Sequence, residues 1–399
     1  MPLISIVVPV YNVEDYVALS LESARSQTLS DIEIVCVDDG STDSSGAILD
    51  LAAKADSRIV VVHKENGGLS SARNAGIRHA SGRYVCFLDS DDLLVESACE
   101  TLVREFESTG ASVITYGAFA YPECNSYPWL DAVLSPRRVE YRPFDIRLLF
   151  GESSSPFAWR TACKRDFLLN GGVLFDETLL YGEDQAFQFG IYPRSPHTLL
   201  IPDKLVRYRV SRSGSFMNTR LNDPVRMARD HVTIADHILR DWKSVGFLDK
   251  YSSEALDWVA EFSLIRILQL DEGFRGEILE LARAVLLESF EKDLLERYRK
   301  EGLASSLVSA VMLSGRSLTN GDRRRAVYDY LAKRNGRKFV VKMLASRLAH
   351  SGPWGRLLSS VEQRACDRDE ALKGELLAQW EKDDELLRRE ASLSVGKPI

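Results

Sequence analysis

Residues 84–92 read Tyr84-Val85-Cys86-Phe87-Leu88-Asp89-Ser90-Asp91-Asp92, and they decide the fold class of this chain. The five apolar residues predict a strand buried on both faces of a parallel sheet, and three carboxylates follow where that strand ends. Open α/β sheets bind their ligands at this end of the strands. Carboxylate oxygens there suit Mg²⁺ or Mn²⁺ held together with substrate phosphates, although Ser and Asp also form ordinary solvated turns and helix caps.

Two earlier strands end in the same way. One runs into Tyr11-Asn12, and the other runs into Asp38-Asp39-Gly40-Ser41-Thr42-Asp43. The predicted elements alternate along the chain, as strand 4–10, helix 13–29, strand 32–37, helix 46–55 and strand 58–62. This alternation predicts an α/β fold with a doubly wound, mostly parallel sheet, and the polar strand ends should lie along one edge of it.

The segment after the third predicted strand has the features of a phosphate-binding turn. It reads Asn66-Gly67-Gly68-Leu69-Ser70-Ser71-Ala72-Arg73-Asn74-Ala75-Gly76. The paired glycines allow a close backbone turn before a helix. Arg73, on the first turns of that helix, could reach a diphosphate with its planar set of donors, or it could pair with a surface carboxylate. The sequence has neither a Gly-x-Gly-x-x-Gly fingerprint nor a Walker-type loop, which argues against a dinucleotide oxidoreductase and a P-loop kinase.

Four of these stretches, in this order, resemble the motifs of the family 2 glycosyltransferases, which have the Rossmann-like GT-A fold. The stretches are residues 5–12, 37–43, 67–76 and 87–92. A fifth stretch, residues 175–187, contains Glu183-Asp184 and resembles the family's Glu-Asp motif, and residues 207–215 carry a weaker likeness. The resemblance implies transfer of a sugar from a nucleotide-activated donor, usually a uridine diphosphate (UDP) sugar, with inversion at the anomeric carbon.

The resemblance also implies roles on the donor side. The positions so implied are Pro9, Val10 and Tyr11 as a wall beside the nucleobase, Asp39 as an acceptor from the base or ribose, Arg73 by the base or diphosphate, and Asp89 toward the ribose. Asp91 would contact the Mn²⁺ or Mg²⁺ ion directly, with Asp89 as a second candidate ligand. Asp92 is a less defined third member, or only a helix cap. The metal and Arg73 would stabilise the charge that grows on the leaving diphosphate.

On the acceptor side, the prediction depends on Glu183 and Asp184. Asp184 is similar to the family's general base, which takes the proton of the attacking sugar hydroxyl on the face opposite the leaving group. The structural alternative is that both acids cap a helix over residues 185–191. Trp159 could stack on an acceptor sugar or simply belong to the core. The Trp-x-Lys-x-Tyr-like stretch of the family is absent, since Trp159 is followed by Arg160.

Length and composition predict a chain of two parts. We expect a GT-A domain over residues 1–229, with a nucleotide-sugar half (1–100) and an acceptor half (101–229), and then an α-helical region over residues 230–399. The net charge of −7 argues against a nucleic-acid partner. The six cysteines show no metal-ligand spacing, so we expect reduced thiols.

The same features predict a cytoplasmic protein. No stretch approaches the ~20 apolar residues that span a bilayer, and no basic residue precedes the apolar N-terminus. Residues 323–348 form a basic block with apolar positions at helical spacing. This block could rest on the inner face of the plasma membrane, near a lipid-linked glycan acceptor, or it could be a solvated face of a helical bundle.

Two other functions are compatible with parts of the sequence. A non-catalytic GT-A scaffold would keep nucleotide binding, but a degenerate site would be expected to lose Asp91 or Asp184. A nucleotidyltransferase would use the same metal and phosphates, yet the chain lacks a Gly-rich loop after its first strand. Because the predicted donor motifs handle the diphosphate that all such donors share, they distinguish neither the sugar nor the acceptor.

Overall fold

The computed structural model describes residues 1–121, 128–210, 223–312 and 318–336. The chain divides into two compact units, of which the first begins at Met1 and the second at Gly214. The position 229/230, where the sequence predicts a domain boundary, lies within the helix Pro224–Ser244. This helix begins at Pro224 because the Asp223 side chain accepts a hydrogen bond from the Arg226 amide, and because the missing N–H of a proline costs nothing in the first helical turn.

The first unit is built on one nine-stranded sheet in the part of the chain that the structure describes. Its strands are β1 Ile4–Val10, β2 Ile32–Asp38, β3 Ile59–His63, β4 Tyr84–Phe87, β5 Leu93–Leu94, β6 Val113–Tyr121, β7 Val139–Tyr141, β8 Thr161–Lys164 and β9 Thr198–Arg209. The order is β3-β2-β1-β4-β8-β6-β9-β5, and β7 pairs with β9. Strands β3, β2, β1 and β4 are mutually parallel, β8 runs antiparallel to both its neighbours, and β9 is parallel to β6.

Helices connect the strands of the first unit. They are α1 Val17–Arg25, α2 Ser45–Ala55, α3 Leu69–His79, α4 Ala98–Thr109, α5 Pro128–Val133, α6 Arg147–Phe150, α7 Arg165–Asn170 and α8 Glu183–Arg194. Strands β1 and β4 are buried along their whole length, as their continuous apolar sequences predict. The element order and the sheet topology confirm the doubly wound, mostly parallel α/β sheet predicted from the sequence.

Helix α3 lies unusually close to the first strand. A Cβ atom placed on Gly76 would come within 2.3 Å of Val7 Cγ1, so only glycine allows this approach. The close packing fixes α3 against β1, and with it the adjacent side chains of Arg73 and Asn74, which are both buried. The carboxyl ends of β1, β2 and β4 lie at the same edge of the sheet, because the three strands are parallel.

The second unit is helical in its described part, as predicted. Its helices are α9 Pro224–Ser244, α10 Phe247–Lys250, α11 Ser252–Val259, α12 Ile265–Gln269, α13 Glu272–Ser289, α14 Lys292–Glu301, α15 Ser305–Met312 and α16 Asn320–Asn335. A π-helical turn, Ala260–Leu264, joins α11 to α12. Its core contains Trp242 and Leu264, which are both almost fully buried.

The basic block predicted over residues 323–348 is described only as far as residue 336. Several of its described charges have partners on neighbouring helices. Arg323 donates to the carbonyls of Leu268 and Leu270, Lys333 donates to Ser305 Oγ, and Arg334 pairs with Glu261. These pairings are typical of a packed helical surface, and residues 337–348 of the block lie outside the described residues. Within the described residues, no helix combines the length and the apolar character needed to cross a membrane.

Candidate functional site

The acidic turn after β4 contains carboxylates in two different environments. Asp92 is buried, and it accepts a hydrogen bond of 2.7 Å from the backbone amide of Arg209, while Arg209 Nε donates to the Asp91 carbonyl at 2.8 Å. Burial raises the pKa of Asp92, and the negative charges of Asp91 and Asp89 raise it further. Asp92 therefore fastens the turn to β9 and caps no helix, whereas the side chains of Asp89 and Asp91 are partly exposed.

Arg73 is the centre of the site. Its side chain is only 1% exposed, and its Nη2 donates to Asp89 Oδ1 at 2.9 Å. Its Nη1 donates to Asp184 Oδ1 at 2.6 Å and to Glu183 Oε1 at 3.3 Å. Burial opposes the charge of Arg73, but Asp184, Asp89 and Glu183 together raise its pKa. Arg73, which the resemblance placed by the base or diphosphate, thus lies at a buried junction of three carboxylates in this structure.

Glu183 and Asp184 form the first turn of α8, after Gly182 in the left-handed conformation (φ +76°). Both side chains lie near the positive end of the helix dipole, which favours their negative charge. Burial raises the pKa of Glu183 to about 7, the charge of Asp184 adds to this shift, and Arg73 opposes it. The Asp184 side chain is 20% exposed, so part of its carboxylate faces solvent.

Asn74 is a residue that the sequence reasoning left without a role. Its amide Nδ2 donates to the Phe175 carbonyl and to Glu177 Oε1, both at 2.9 Å, and its Oδ1 accepts from the Phe175 amide at 2.9 Å. Asn74 is almost fully buried. Arg73 and Asn74 thus hold the chain from Phe175 to Asp184 against α3. The signal available in the sequence was that Arg73 and Asn74 are adjacent, since two neighbouring polar side chains of one helix can bind the same approaching segment.

The residues that follow β1 are exposed to solvent, among them Tyr11. Pro9 and Val10 are buried inside the strand, whereas the Tyr11 ring is 47% exposed. Asn12 has a positive φ of 49° and its Oδ1 accepts a hydrogen bond from the Thr42 amide at 2.8 Å. Of the three residues predicted to line the nucleobase, Tyr11 alone has an accessible face, because the other two pack within the sheet.

Asp39 lies at the tip of β2, where it orders the glycine turn before α3. Its carboxylate accepts from Lys64 Nζ at 2.6 Å and from the backbone amides of Gly67 at 3.0 Å and Gly68 at 2.8 Å. The side chain is 3% exposed. Asp39 was predicted to accept a hydrogen bond from the base or ribose, but in this structure its oxygens are already bonded within the protein. Gly68 has a φ of +87°, which explains the need for glycine there.

Trp159 lies in the interior and is 1% exposed. Its ring stacks on Phe157 with centroids 5.2 Å apart and on Tyr208 with centroids 5.0 Å apart. Its carbonyl accepts a hydrogen bond from the Tyr116 hydroxyl. The stacking of Trp159 on an acceptor sugar, which the sequence allowed, is therefore not available in this structure, since neighbouring aromatic rings cover the indole.

The donor set at the end of β4 is suited to a hard divalent cation. No group of three His, Cys, Asp or Glu side chains is arranged as metal ligands within the described ranges. Mg²⁺ and Mn²⁺ need only one or two protein carboxylates when substrate phosphates complete the shell. Burial raises the pKa of Asp89 although Arg73 opposes the shift, and the charges of Asp184 and Asp91 raise it too. A divalent cation would neutralise part of this negative charge, so Asp89 and Asp91 are chemically suited to hold one.

The sequence of this chain is similar to those of known proteins. The profile of Glycosyl transferase family 2 matches residues 5–166. The chain is 35% identical over 212 residues to the uncharacterized glycosyltransferase EpsJ of Bacillus subtilis, which is 52% of this chain and 61% of EpsJ. It is 32% identical over 246 residues to the glycosyltransferase GlyG of Streptococcus pneumoniae, which is 60% of this chain and 80% of GlyG.

A solved structure has a similar fold. It is the crystal structure of S. aureus TarS 1-349 in complex with UDP-GlcNAc. The TM-score is 0.65 at 20% sequence identity, and the superposition covers 84% of this chain and 92% of that one.

Proposed function

Because the chain belongs to family 2 of the glycosyltransferases, we propose that it transfers a sugar from a UDP sugar to a glycan or lipid-linked glycan hydroxyl, with inversion. The choice of donor is supported by TarS, whose crystal structures contain UDP or UDP-GlcNAc. We further propose that this reaction is a step in the biosynthesis of a surface polysaccharide.

One observation carries the proposal. Arg73 binds Asp89 at 2.9 Å on the donor side and Asp184 at 2.6 Å on the acceptor side. These two carboxylates come from distant parts of the chain, and a single guanidinium brings them together at the carboxyl edge of the sheet. An inverting transfer needs this proximity, since the leaving diphosphate and the general base must flank the same anomeric carbon.

Asp184 is the proposed general base. Arg73 donates a hydrogen bond to its Oδ1, and the side chain is 20% exposed, which leaves room for contact with a substrate hydroxyl. A sugar hydroxyl is a weak nucleophile until its proton is taken, and a positioned base typically contributes about a hundred- to ten-thousand-fold in rate. Glu183 lies deeper, and its pKa of about 7 leaves much of it protonated at neutral pH, which favours Asp184 in this role.

Asp91, with Asp89 as a second ligand, is proposed to hold Mn²⁺ or Mg²⁺. When bound, the cation would stabilise the negative charge on the leaving diphosphate. Arg73 is occupied by three carboxylates, so it is not proposed as a diphosphate contact. Tyr11, with its exposed ring, is the proposed stacking surface for the nucleobase.

The test is a donor screen with the purified chain in Mn²⁺. UDP release is measured from the UDP derivatives of glucose, galactose, N-acetylglucosamine and glucuronic acid with a set of glycan acceptors, and UDP binding is measured by calorimetry. Asp184→Asn should keep UDP binding and lose at least a hundredfold in transfer. The matched control is Asp166→Asn, because Asp166 is 86% exposed on the same unit.

The outcomes separate the alternatives. Absence of both UDP binding and UDP release would refute the proposed function, and loss of UDP binding in Asp184→Asn would assign that residue a structural role. Release of pyrophosphate would indicate a nucleotidyltransferase. Binding of UDP without transfer for any donor and acceptor would indicate a scaffold.

A further inference from the structure

Three aromatic rings form a cluster between β9 and the loop before β8. Phe157 and Tyr208 lie with centroids 5.3 Å apart, and Trp159 stacks on both of them. Trp159 is buried, whereas Phe157 and Tyr208 are half-buried. The buried indole supports the other two rings, and each ring has few rotatable bonds, so they can contact a ligand without losing much conformational entropy.

The backbone of Phe157 is strained. Its φ is +79°, in the left-handed region that bulky residues rarely adopt. Gln188, which is fully buried, holds this backbone conformation, because its Nε2 donates to the Phe157 carbonyl at 3.1 Å. A strained aromatic residue that is held by a buried side chain is more readily explained by a functional position of its ring than by stability.

The cluster is linked to the proposed general base. Gln188 lies one turn after Asp184 on α8, at a spacing of four residues that places both on the same helix face. Tyr208 precedes Arg209, whose backbone amide donates to Asp92 Oδ1 and whose Nε donates to the Asp91 carbonyl, so the cluster adjoins the acidic turn after β4. One rigid helix therefore holds the base and the Phe157 loop together.

We propose that Phe157 and Tyr208 form an acceptor subsite, in which an uncharged pyranose ring stacks on their exposed faces and directs a hydroxyl to Asp184. This inference rests on the proposed function. A pyranose presents a C–H face that suits aromatic rings and a rim of hydroxyls that suits carboxylate acceptors. The face of an aromatic ring carries partial negative charge, so these two rings disfavour a phosphate or the carboxylate of a uronic acid at this position.

The test uses the full chain with UDP and Mn²⁺ and small sugars as probes. Saturation-transfer NMR measures binding of methyl β-glucoside, methyl β-galactoside, methyl β-N-acetylglucosaminide and methyl β-glucuronide. We expect at least one neutral glycoside to bind through its ring C–H protons, with the glucuronide weaker. Phe157→Ala should weaken that binding at least tenfold and Phe157→Tyr less than threefold, while the affinity for UDP stays unchanged.

Two further variants separate the ring from its backbone. Phe157→Gly removes the ring and relieves the positive φ, so it should lose glycoside binding as Phe157→Ala does. The matched control is Phe150→Ala, because Phe150 is 40% exposed on the same unit and packs against Phe189 instead of the cluster. Its glycoside binding should equal that of the unaltered chain. Unfolding midpoints of all variants verify that the fold is kept.

Several outcomes would overturn the subsite. Binding that persists in Phe157→Ala, or glucuronide binding as tight as that of the neutral glycosides, contradicts it. UDP binding without binding of any glycoside also overturns it and leaves the proposed function standing. Failure of the unaltered chain to bind UDP refutes the proposed function, and the subsite fails with it.

Discussion

At the scale of single residues, the site depends on one buried cation among three acids. A buried charge is costly unless it is paired, and a guanidinium can serve several carboxylates because its five donors lie in one plane. Arg73 has Asp89, Glu183 and Asp184 around it, so negative charges outnumber the positive one by two if every acid is ionised. The raised pKa of Glu183 is the response of the site to this imbalance and to burial.

Arg73→Lys tests whether this residue positions the acids or binds the donor. Lysine keeps the charge but cannot hold two carboxylates in fixed directions. We expect the turnover rate to fall about a hundredfold, as for a misplaced catalytic group, with less than a threefold change in UDP affinity. Calorimetry and UDP release measure the two quantities, and Arg83→Lys, at an exposed pair with Glu107, is the control. A parallel loss of UDP affinity would restore the donor-contact role.

Glu183→Gln should change the pH dependence of stability. The folded-state pKa of Glu183 is about 7, above its ordinary value of 4.5, so the folded state favours the protonated acid. The unaltered protein therefore loses stability from this group as the pH rises from 4.5 through 7, and a neutral glutamine does not. We expect the free energy of unfolding of the variant, relative to the unaltered chain, to increase between pH 5 and pH 8 in urea titrations.

Glu177→Gln is the contrasting control for that experiment. The hydrogen bond from Asn74 lowers the pKa of Glu177, so the stabilisation from its charge is lost only as the pH falls below 4.5. The stability difference for this variant should stay constant from pH 5 to pH 8. A flat profile for Glu183→Gln as well would show that Glu183 is ionised throughout this range.

At the scale of secondary-structure elements, α3 links the carboxyl edge of the sheet to the segment that carries Asp184, the proposed general base. Gly76 lets the helix approach Val7 on β1, and Arg73 and Asn74 then reach toward α8 and the chain before it. The helix is thus fixed on one side by the sheet and holds the base segment on the other. Its length of 11 residues gives it three turns for both tasks.

Asn74→Ala should loosen this connection. The substitution leaves the backbone N–H and C=O of Phe175 without their partner in a buried setting, which costs about 2 kcal/mol of stability. Transfer should fall by more than tenfold while UDP affinity changes little, because the displaced residue is Asp184. Urea unfolding and UDP release measure these effects. Asn170→Ala, at an exposed position on α7, should change neither, and an equal loss of UDP affinity in Asn74→Ala would contradict a positioning role.

The alternation of elements could be predicted from the sequence, because continuous apolar strands and amphipathic helices are local patterns. The acidic end of β4 could also be predicted, since a strand end places its following residues at the sheet edge. The partners of Arg73 could not, because Asp184 lies 111 residues away in sequence. A core position for Trp159 was one of the two alternatives that the sequence offered, whereas the internal hydrogen bonds of Asp39 depend on residues that approach from other elements.

At the scale of the whole molecule, the proposed site residues and the described helical region belong to different units. The strand ends, α3 and the first turn of α8 all lie in the first unit, together with the aromatic cluster. The described helices from α9 onward have their own buried core. The division predicts that UDP recognition needs the first unit alone.

A chain ending at Asn222 tests this division, because it stops just before Asp223, which caps α9. We expect it to fold cooperatively, since the sheet and its helices bury their own core, and to bind UDP with Mn²⁺ within threefold of the affinity of the full chain. Circular dichroism and calorimetry measure the two properties, and Asp91→Asn in the same shortened chain should weaken binding. A folded chain without UDP affinity would show that residues beyond 222 contribute to the donor site.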